Sequence, residues 1–221
     1  MTPTISIVTP WYRAPELREG YWAAITASPP DEVYIIENGA PGGHDDIELD
    51  ITAFGSPYSH RVHSFPRNLG FSRACNVGLR AAMCDAVLFL NNDIVHTASG
   101  WLEPIRETLD FGVLVGAQIR TDPHAQVDGR TIPYLDGWCL AGMTDDLLRL
   151  GGWDEEYEEP SYFGDNDLCL RAKAAGMDLV QVPVALKHLG NYTSRQFDVS
   201  GVTARNYCRY ADKARSLLVP A

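Results

Sequence analysis

The sequence predicts an α/β fold, a mostly parallel sheet flanked by helices, in a single domain. Three observations carry that prediction. Short β-branched runs alternate with helix-like segments through the first half, the pattern of right-handed βαβ crossovers. Polar residues stand directly after the strands, at the carboxyl ends where open sheets of this kind bind ligands. The chain has 221 residues, enough for one substantial core and too few for two ordinary domains with a linker.

The elements follow in order. Ile5 to Val8 is a β-branched strand that stops at Thr9-Pro10. Glu32 to Ile36 is a second strand, ending in the turn Asn38-Gly39, and Arg61 to Phe65 is a short third. Phe71, Cys75, Leu79 and Met83 recur every four residues with Ser72 at the capping position, which predicts an amphipathic helix. Ala86 to Leu90 is a buried fourth strand. Leu109 to Ile119 contains a further strand, before a loop from Thr121 to Gly137 rich in Pro, Gly and Asp. Thr144 is placed to cap a short helix with Asp145 and Asp146 in its first turn and Gly151 after its last. Asp165 to Ala175 reads as a helix ended by Gly176, and Leu179 to Val182 as the last strand. Tyr207, Tyr210, Ala214 and Leu217 have helical spacing and predict a closing helix. No repeat or linker interrupts this. The domain spans 1–221, with a first half over about 1–95, a second half over about 96–195, and the closing helix over about 199–218.

Composition narrows the function. Hydrophobic residues make up 45% and charged ones 21%, a soluble globular balance. Eighteen basic against 29 acidic residues give a net charge of −11, which argues against a protein that coats nucleic acid or anionic lipid. A small anionic substrate remains compatible, held by a metal, backbone amides or a local Arg cluster. The longest strongly apolar run, Ala86 to Leu90, is far short of a membrane span. The first ten residues lack a basic region and cleavage site, so no signal peptide and a cytoplasmic location are expected. Cys75, Cys84, Cys139, Cys169 and Cys208 are odd in number without a CxxC pair, as expected of reduced packing thiols. Asn191-Tyr192-Thr193 fits a glycosylation acceptor pattern, which has no meaning without secretion.

Three segments carry candidate chemistry. FLNND (Phe89 to Asp93) puts a carboxylate directly after a buried strand. It is either a turn or a site where Asp93 joins Mg²⁺ or Mn²⁺ to substrate phosphates. YFGDNDLCLR (Tyr162 to Arg171) opens a helix with Asp165 and Asp167. They serve either as first-turn acids or as carboxylates held ionised to accept a proton. His188, in KHLGNYTS, is a metal ligand, a phosphate contact or a surface residue. No GxGxxG or P-loop is present. Arg205, Arg209 and Lys213 form a basic stripe on the closing helix, either a solvated face or a dock for an acidic partner, a membrane surface or a second subunit.

Taken together, these segments resemble glycosyltransferase family 2, with its Rossmann-like GT-A fold. The resemblance rests on VTPWY (Val8 to Tyr12), IIENGA (Ile35 to Ala40), NLGFSRACNVG (Asn68 to Gly78), FLNND, GGWDE (Gly151 to Glu155), YFGDNDLCLR and VPVALKH (Val182 to His188), in that order. LNND is similar to the bacterial rhamnosyltransferase-like branch. Three positions depart from the family pattern: Glu37 replaces an Asp, Gly164 replaces the Glu of an acidic pair, and the metal motif keeps only its last acid. The resemblance implies an inverting transfer from a nucleoside-diphosphate sugar (UDP, dTDP or GDP) to a hydroxyl of a glycan, lipid-linked or protein acceptor. It implies Mn²⁺ or Mg²⁺ at Asp93 and His188, and Asp165 as the base with Asp167 orienting the acceptor. Thr9, Pro10, Tyr12, Glu37, Asn68, Arg73, Asn92 and Asp93 are its nucleotide-sugar contacts, and Asp136 and Trp138 its sugar contacts. Peripheral membrane contact and a homo-oligomer are compatible with it. The alternative is a GT-A-like binding or scaffolding protein without turnover. A nucleotidyltransferase fits less well, because only Arg13 follows the first strand where a phosphate loop is needed.

Overall fold

The structure, a computed structural model of the chain, describes residues 2–39, 59–190, 199 and 201–218. Ala40, the Asn191-Tyr192-Thr193 pattern and Ser194 lie outside the described residues. The first half runs β1 (Ile5–Trp11), α1 (Arg18–Ala27), β2 (Glu32–Asn38), β3 (Ser59–Phe65), α2 (Phe71–Ala81), β4 (Ala86–Leu90), β5 (Ile94–His96) and α3 (Glu103–Thr108). The second half adds β6 (Val113–Gly116), β7 (Ile119–Arg120), β8 (Gln126–Val127), β9 (Arg130–Thr131), β10 (Tyr134–Leu135) and β11 (Cys139–Met143). It closes with α4 (Thr144–Arg149), α5 (Gly164–Ala174), β12 (Asp178–Gln181), β13 (Leu186–His188) and α6 (Val202–Leu218).

Seven strands form one sheet in the order β12-β6-β11-β4-β1-β2-β3. All neighbours are parallel except β11, which runs antiparallel to both β4 and β6. On one face Ile5, Ile7, Val33, Ile35 and Leu88 pack with Trp22, Ile25, Trp101 and Ile105. On the other Val8, Tyr34, Ile36, Val87 and Phe89 pack with Ala74, Cys75, Leu79 and Leu168. Burial on both faces is why these strands read as nearly continuous apolar runs; each such Leu, Ile or Phe contributes about 1.5–3 kcal/mol. Helix α2 lies close against β1: a Cβ on Gly78 would sit 2.2 Å from Val8 Cγ1. A third cluster joins α6 to α5 through Tyr157, Phe163, Leu170, Tyr210, Ala211 and Ala214. No helix among the described residues is long and apolar enough to cross a membrane.

Several local expectations are corrected. Ser72 does not cap α2. The N-cap is Gly70, and the Ser72 hydroxyl instead bonds Ser161 Oγ at 3.1 Å. The helix stops at Ala81, leaving Met83 82% exposed rather than on its apolar face. Thr144 is the first residue of α4, and its hydroxyl donates to the Cys84 carbonyl at 2.9 Å. The strand expected within 109–119 divides into β6 and the two-residue β7. Strand β11, CLAGM, went unread because it lacks a β-branched run. Its Gly142 lets β6 pack closely there, since a Cβ would lie 2.7 Å from Leu114 Cδ2.

Candidate functional site

The carboxyl ends of β1, β2 and β4 open into a cavity of about 240 Å³. At the end of β1, Pro10 and Tyr12 reach its wall. Thr9 does not: it is fully buried, and its hydroxyl lies 2.7 Å from that of Tyr21 on the core side. At the end of β2, Asn38 rather than Glu37 lines the cavity. The buried Glu37 carboxylate accepts from Ser64 on the neighbouring strand.

The loop that starts α2 is held by two amides. Asn38 Nδ2 donates to Asn68 Oδ1 at 2.7 Å, and Asn38 Oδ1 accepts from Leu69 N at 2.7 Å. Asn68 Oδ1 also accepts from Gly70 N at 2.8 Å, and Asn68 is on the cavity wall. Gly70 has φ +93°, and a Cβ there would lie 2.2 Å from Glu159 Oε1. That space lets Glu159 accept from the Phe71 backbone N–H at 2.9 Å and from the Ser161 hydroxyl at 2.9 Å. Arg73, two residues into the same helix, points outward; its side chain is 56% exposed and its guanidinium pairs with Glu155 at 3.4 Å.

After β4, Asn91, Asn92 and Asp93 all line the cavity. The antiparallel pairing of β13 with β5 sets His188 opposite Ile94, which brings His188 Nε2 within 3.0 Å of Asp93 Oδ1. Trp138 stacks on the His188 ring, with centroids 5.1 Å apart and planes 10° apart. Among the described residues no three His, Cys, Asp or Glu side chains cluster to hold a metal. The donor set nevertheless suits one: a carboxylate and an imidazole side by side on a cavity wall, while the buried Asn92 Nδ2 of the same wall, without a partner among the described residues, is a hydrogen-bond donor suited to a phosphate oxygen. Divalent ions such as Mg²⁺ are commonly held by one or two protein groups and completed by substrate phosphates.

The opposite half supplies Asp136, Gly137, Trp153, Glu159, Tyr162 and Asp165. Asp165 Oδ2 accepts from Gly137 N at 3.0 Å and Oδ1 from Asn166 N at 2.9 Å. Burial pushes its carboxyl up to about 7, and the Asp136 charge adds to the rise. This corrects the expectation that the helix N-terminus keeps Asp165 fully ionised; desolvation outweighs the dipole. Burial also raises Asp136, opposed by Arg120, whose guanidinium lies 3.7 Å away. Ser161 and Phe163, just before α5, adopt positive φ of 61° and 71°, conformations that non-glycine residues hold only where the surroundings enforce them.

Asp167 stands apart from the cavity. It is fully buried and binds Arg171 Nε at 2.8 Å, Lys213 Nζ at 2.7 Å and the Tyr157 hydroxyl at 3.3 Å. It is not among the residues that line the cavity. The structure therefore brings Pro10, Tyr12, Asn68, Asn92, Asp93, Asp136, Trp138, Asp165 and His188 to one cavity, and leaves Thr9, Glu37, Arg73 and Asp167 outside it. Sequence reasoning missed Glu159. It lies outside every motif, and nothing local marks a carboxylate whose partners are an amide 88 residues away and a nearby serine.

The sequence model of the family described as "Glycosyl transferase family 2" matches residues 6–156. The chain belongs to that family. No curated protein sequence matches it significantly. Among solved structures, it superposes on the mannosyltransferase PcManGT of Pyrobaculum calidifontis, in complex with GDP-Man and Mn²⁺, with a TM-score of 0.72 at 17% identity. That match covers 98% of this chain and 65% of the other. GalNAc-T7 with UDP, GalNAc and Mn²⁺ gives 0.70 at 15% identity, covering 96% and 48%. Glucosyl-3-phosphoglycerate synthase of Mycobacterium tuberculosis, with Mn²⁺, UDP and phosphoglyceric acid, gives 0.63 at 18% identity, covering 99% and 80%. The chain thus spans less than two thirds of the first two. At these identities the likeness is one of fold, the GT-A glycosyltransferase fold.

Proposed function

We propose that this family 2 chain transfers a hexosyl group from a nucleoside-diphosphate sugar to an acceptor hydroxyl with inversion, using Asp165 as general base. The observation that carries the reading is Asp165 itself. It is a carboxylate on the wall of the cavity that also holds the Asp93–His188 pair, with its pKa at about 7. A base is most effective when its pKa lies near the working pH.

In the proposed reaction the acceptor oxygen attacks the anomeric carbon from the face away from the diphosphate. Its proton passes to the Asp165 carboxylate, and the bond from the anomeric carbon to the diphosphate oxygen breaks with its electron pair. The nucleoside diphosphate leaves, and the anomeric centre is inverted. Asp93 and His188 are the residues that would hold a divalent ion, which when bound supplies Lewis acidity to the leaving diphosphate. Pro10, Tyr12, Asn38, Asn68 and Asn92 form the donor side, and Trp138 and Asp136 the sugar side. Asp93, Asp136, Glu159 and Asp165 line the cavity, and among the described residues no Lys or Arg does. That charge supports an uncharged hydroxyl acceptor over a phosphorylated one.

Support for the donor class comes from the family match and from neighbours crystallised with GDP-Man or UDP and Mn²⁺. A thermal-shift screen of UDP, GDP and dTDP with and without Mn²⁺ tests it. A ligand at 100 times its dissociation constant should stabilise the chain by about 2.7 kcal/mol. Release of nucleoside diphosphate from the matching sugar donor then separates an enzyme from a protein that only binds. If no nucleoside diphosphate stabilises the chain, the reading is wrong.

A further inference from the structure

The basic stripe of α6 is partly exposed, from Arg205 at 57% to Lys213 at 29%, yet each of its three side chains is paired with an acid of the same chain. Arg205 makes a double contact with the Glu158 carboxylate at 2.6 Å, and Asn206 binds the Glu158 backbone at both N–H and C=O. Arg209 and Lys213 both bind Asp154, and Lys213 also binds the buried Asp167 at 2.7 Å. Each of these three anchors stands one or two residues from a side chain on the cavity wall. Asp154 follows Trp153, Glu158 precedes Glu159, and Asp167 is two residues past Asp165.

Apolar contacts back the ionic ones, with Tyr210 stacked on Phe163 at 5.7 Å. Phe163 is itself held at positive φ immediately before α5. The helix also lies beyond residues 6–156, the part matched by the family. It reaches back to Asp154 inside that part and to Glu158 and Asp167 beyond it.

We propose that α6 is a positioning strap for the reaction. Through Arg205, Asn206 and Lys213 it sets the wall that carries Trp153, Glu159 and Asp165, and it touches no substrate itself. Of these pairs only Lys213–Asp167 has a fully buried partner, and its part in the strap is to select one arrangement of the groups it joins rather than to add net stability. A catalytic group displaced by about 1 Å costs on the order of a hundredfold in rate. The turnover consequence rests on the glycosyl-transfer reading, whereas the structural consequence does not.

Lys213→Met in the full chain tests it, because Asp167 keeps Arg171 as a partner and the fold should survive. Hydrogen exchange over residues 153–167 is expected to speed up about tenfold, with β1 and β2 unchanged. Affinity for UDP or GDP with Mn²⁺, whichever the screen selects, should stay within about twofold, while turnover falls about tenfold or more. Lys213→Arg should restore both. Asn206→Ala, which releases Glu158 from the other end, should reproduce the selective pattern if Lys213→Met does not fold. Unchanged exchange over 153–167, or exchange raised equally across the whole chain, overturns the strap. If the wild-type chain turns over no sugar donor, the functional reading fails while the exchange comparison still decides the strap.

Discussion

The two halves of the molecule build their shares of one cavity by different means. In the first half the site sits on strand ends: Pro10 after β1, Asn38 after β2, and Asn91 to Asp93 after β4. These positions come with the sheet, and their amides bond polar groups at neighbouring strand ends and loops, Asn38 to Asn68 and the Leu69 N–H, and Asn91 Nδ2 3.4 Å from His188 Nε2. In the second half Trp153, Glu159 and Tyr162 lie in an irregular stretch, and Asp165 opens α5. That wall is held by charge pairs reaching across more than forty residues, from Glu158 to Arg205 and from Asp167 to Lys213. The difference teaches that the sheet itself places the first-half wall, while the second-half wall is joined by ion pairs to α6, the strap proposed above.

The comparison breaks most visibly at Asp165. Asp165→Asn removes the basicity, and turnover is expected to fall about 10²–10⁴-fold with nucleotide affinity unchanged. With its pKa at about 7, the wild-type rate should rise with pH through 7 as the carboxyl ionises. That limb should be absent from the residual rate of the variant. Stability should move the other way. The folded carboxyl holds its proton more tightly than the unfolded one, so ionisation above the unfolded pKa weakens the fold as pH climbs towards 7. Denaturant titrations at pH 5 and pH 8 should therefore shift the balance in favour of the variant by about 2 kcal/mol. A variant with near wild-type turnover puts the base elsewhere.

On the donor side, Asp93→Ala should abolish the strengthening of nucleotide binding by Mn²⁺, a loss of at least about tenfold, or 1.4 kcal/mol. His188→Ala should reduce it less, because the carboxylate remains. Calorimetry with Mn²⁺ and with EDTA reads both. Equal affinities in the wild-type chain would remove the metal from this pair.

Gly70 joins the two halves, since the space at its Cβ is filled by Glu159. Gly70→Ala meets both a positive φ of 93° and a collision at 2.2 Å. It should cost about 1–3 kcal/mol in chemical denaturation. A cost near zero would show that Glu159 moves freely and that the halves are not coupled there.

These same features explain what the sequence could show. β1, β2 and β4 were legible because strands buried on both faces must be apolar throughout. Asp93, Asn68, Asp165 and His188 were legible because ordered motifs place them at element ends. β11 was not, because its small residues answer to close packing against β6 rather than to strand propensity. Glu159 and the inward face of α6 were illegible for a related reason. Four-residue spacing puts Arg205, Arg209 and Lys213 on one face of a helix but is silent about what lies opposite, and the acids that meet them are 47, 55 and 59 residues away. Thr9 and Glu37 occupy motif positions correctly, yet their side chains turn to Tyr21 and Ser64.

The smallest expected effect is at Arg73, where motif and geometry give opposite answers. The family resemblance makes it a nucleotide contact, whereas its side chain is 56% exposed and paired with the 35% exposed Glu155 side chain at 3.4 Å. A pair so open to water is worth about 0–1 kcal/mol and fades with salt. Arg73→Ala should therefore lower stability by no more than about 0.5 kcal/mol. Nucleotide affinity, read by calorimetry, should stay within about twofold, less than the 1.4 kcal/mol that a tenfold change represents. Asn68→Ala is the matched control. Asn68 is on the cavity wall and bonds both Asn38 and Gly70, so its loss should weaken the nucleotide more than the loss of a full positive charge at position 73. If Arg73→Ala proves the more damaging, the guanidinium swings inward on binding, and the donor side of the cavity is not preformed by the strand ends.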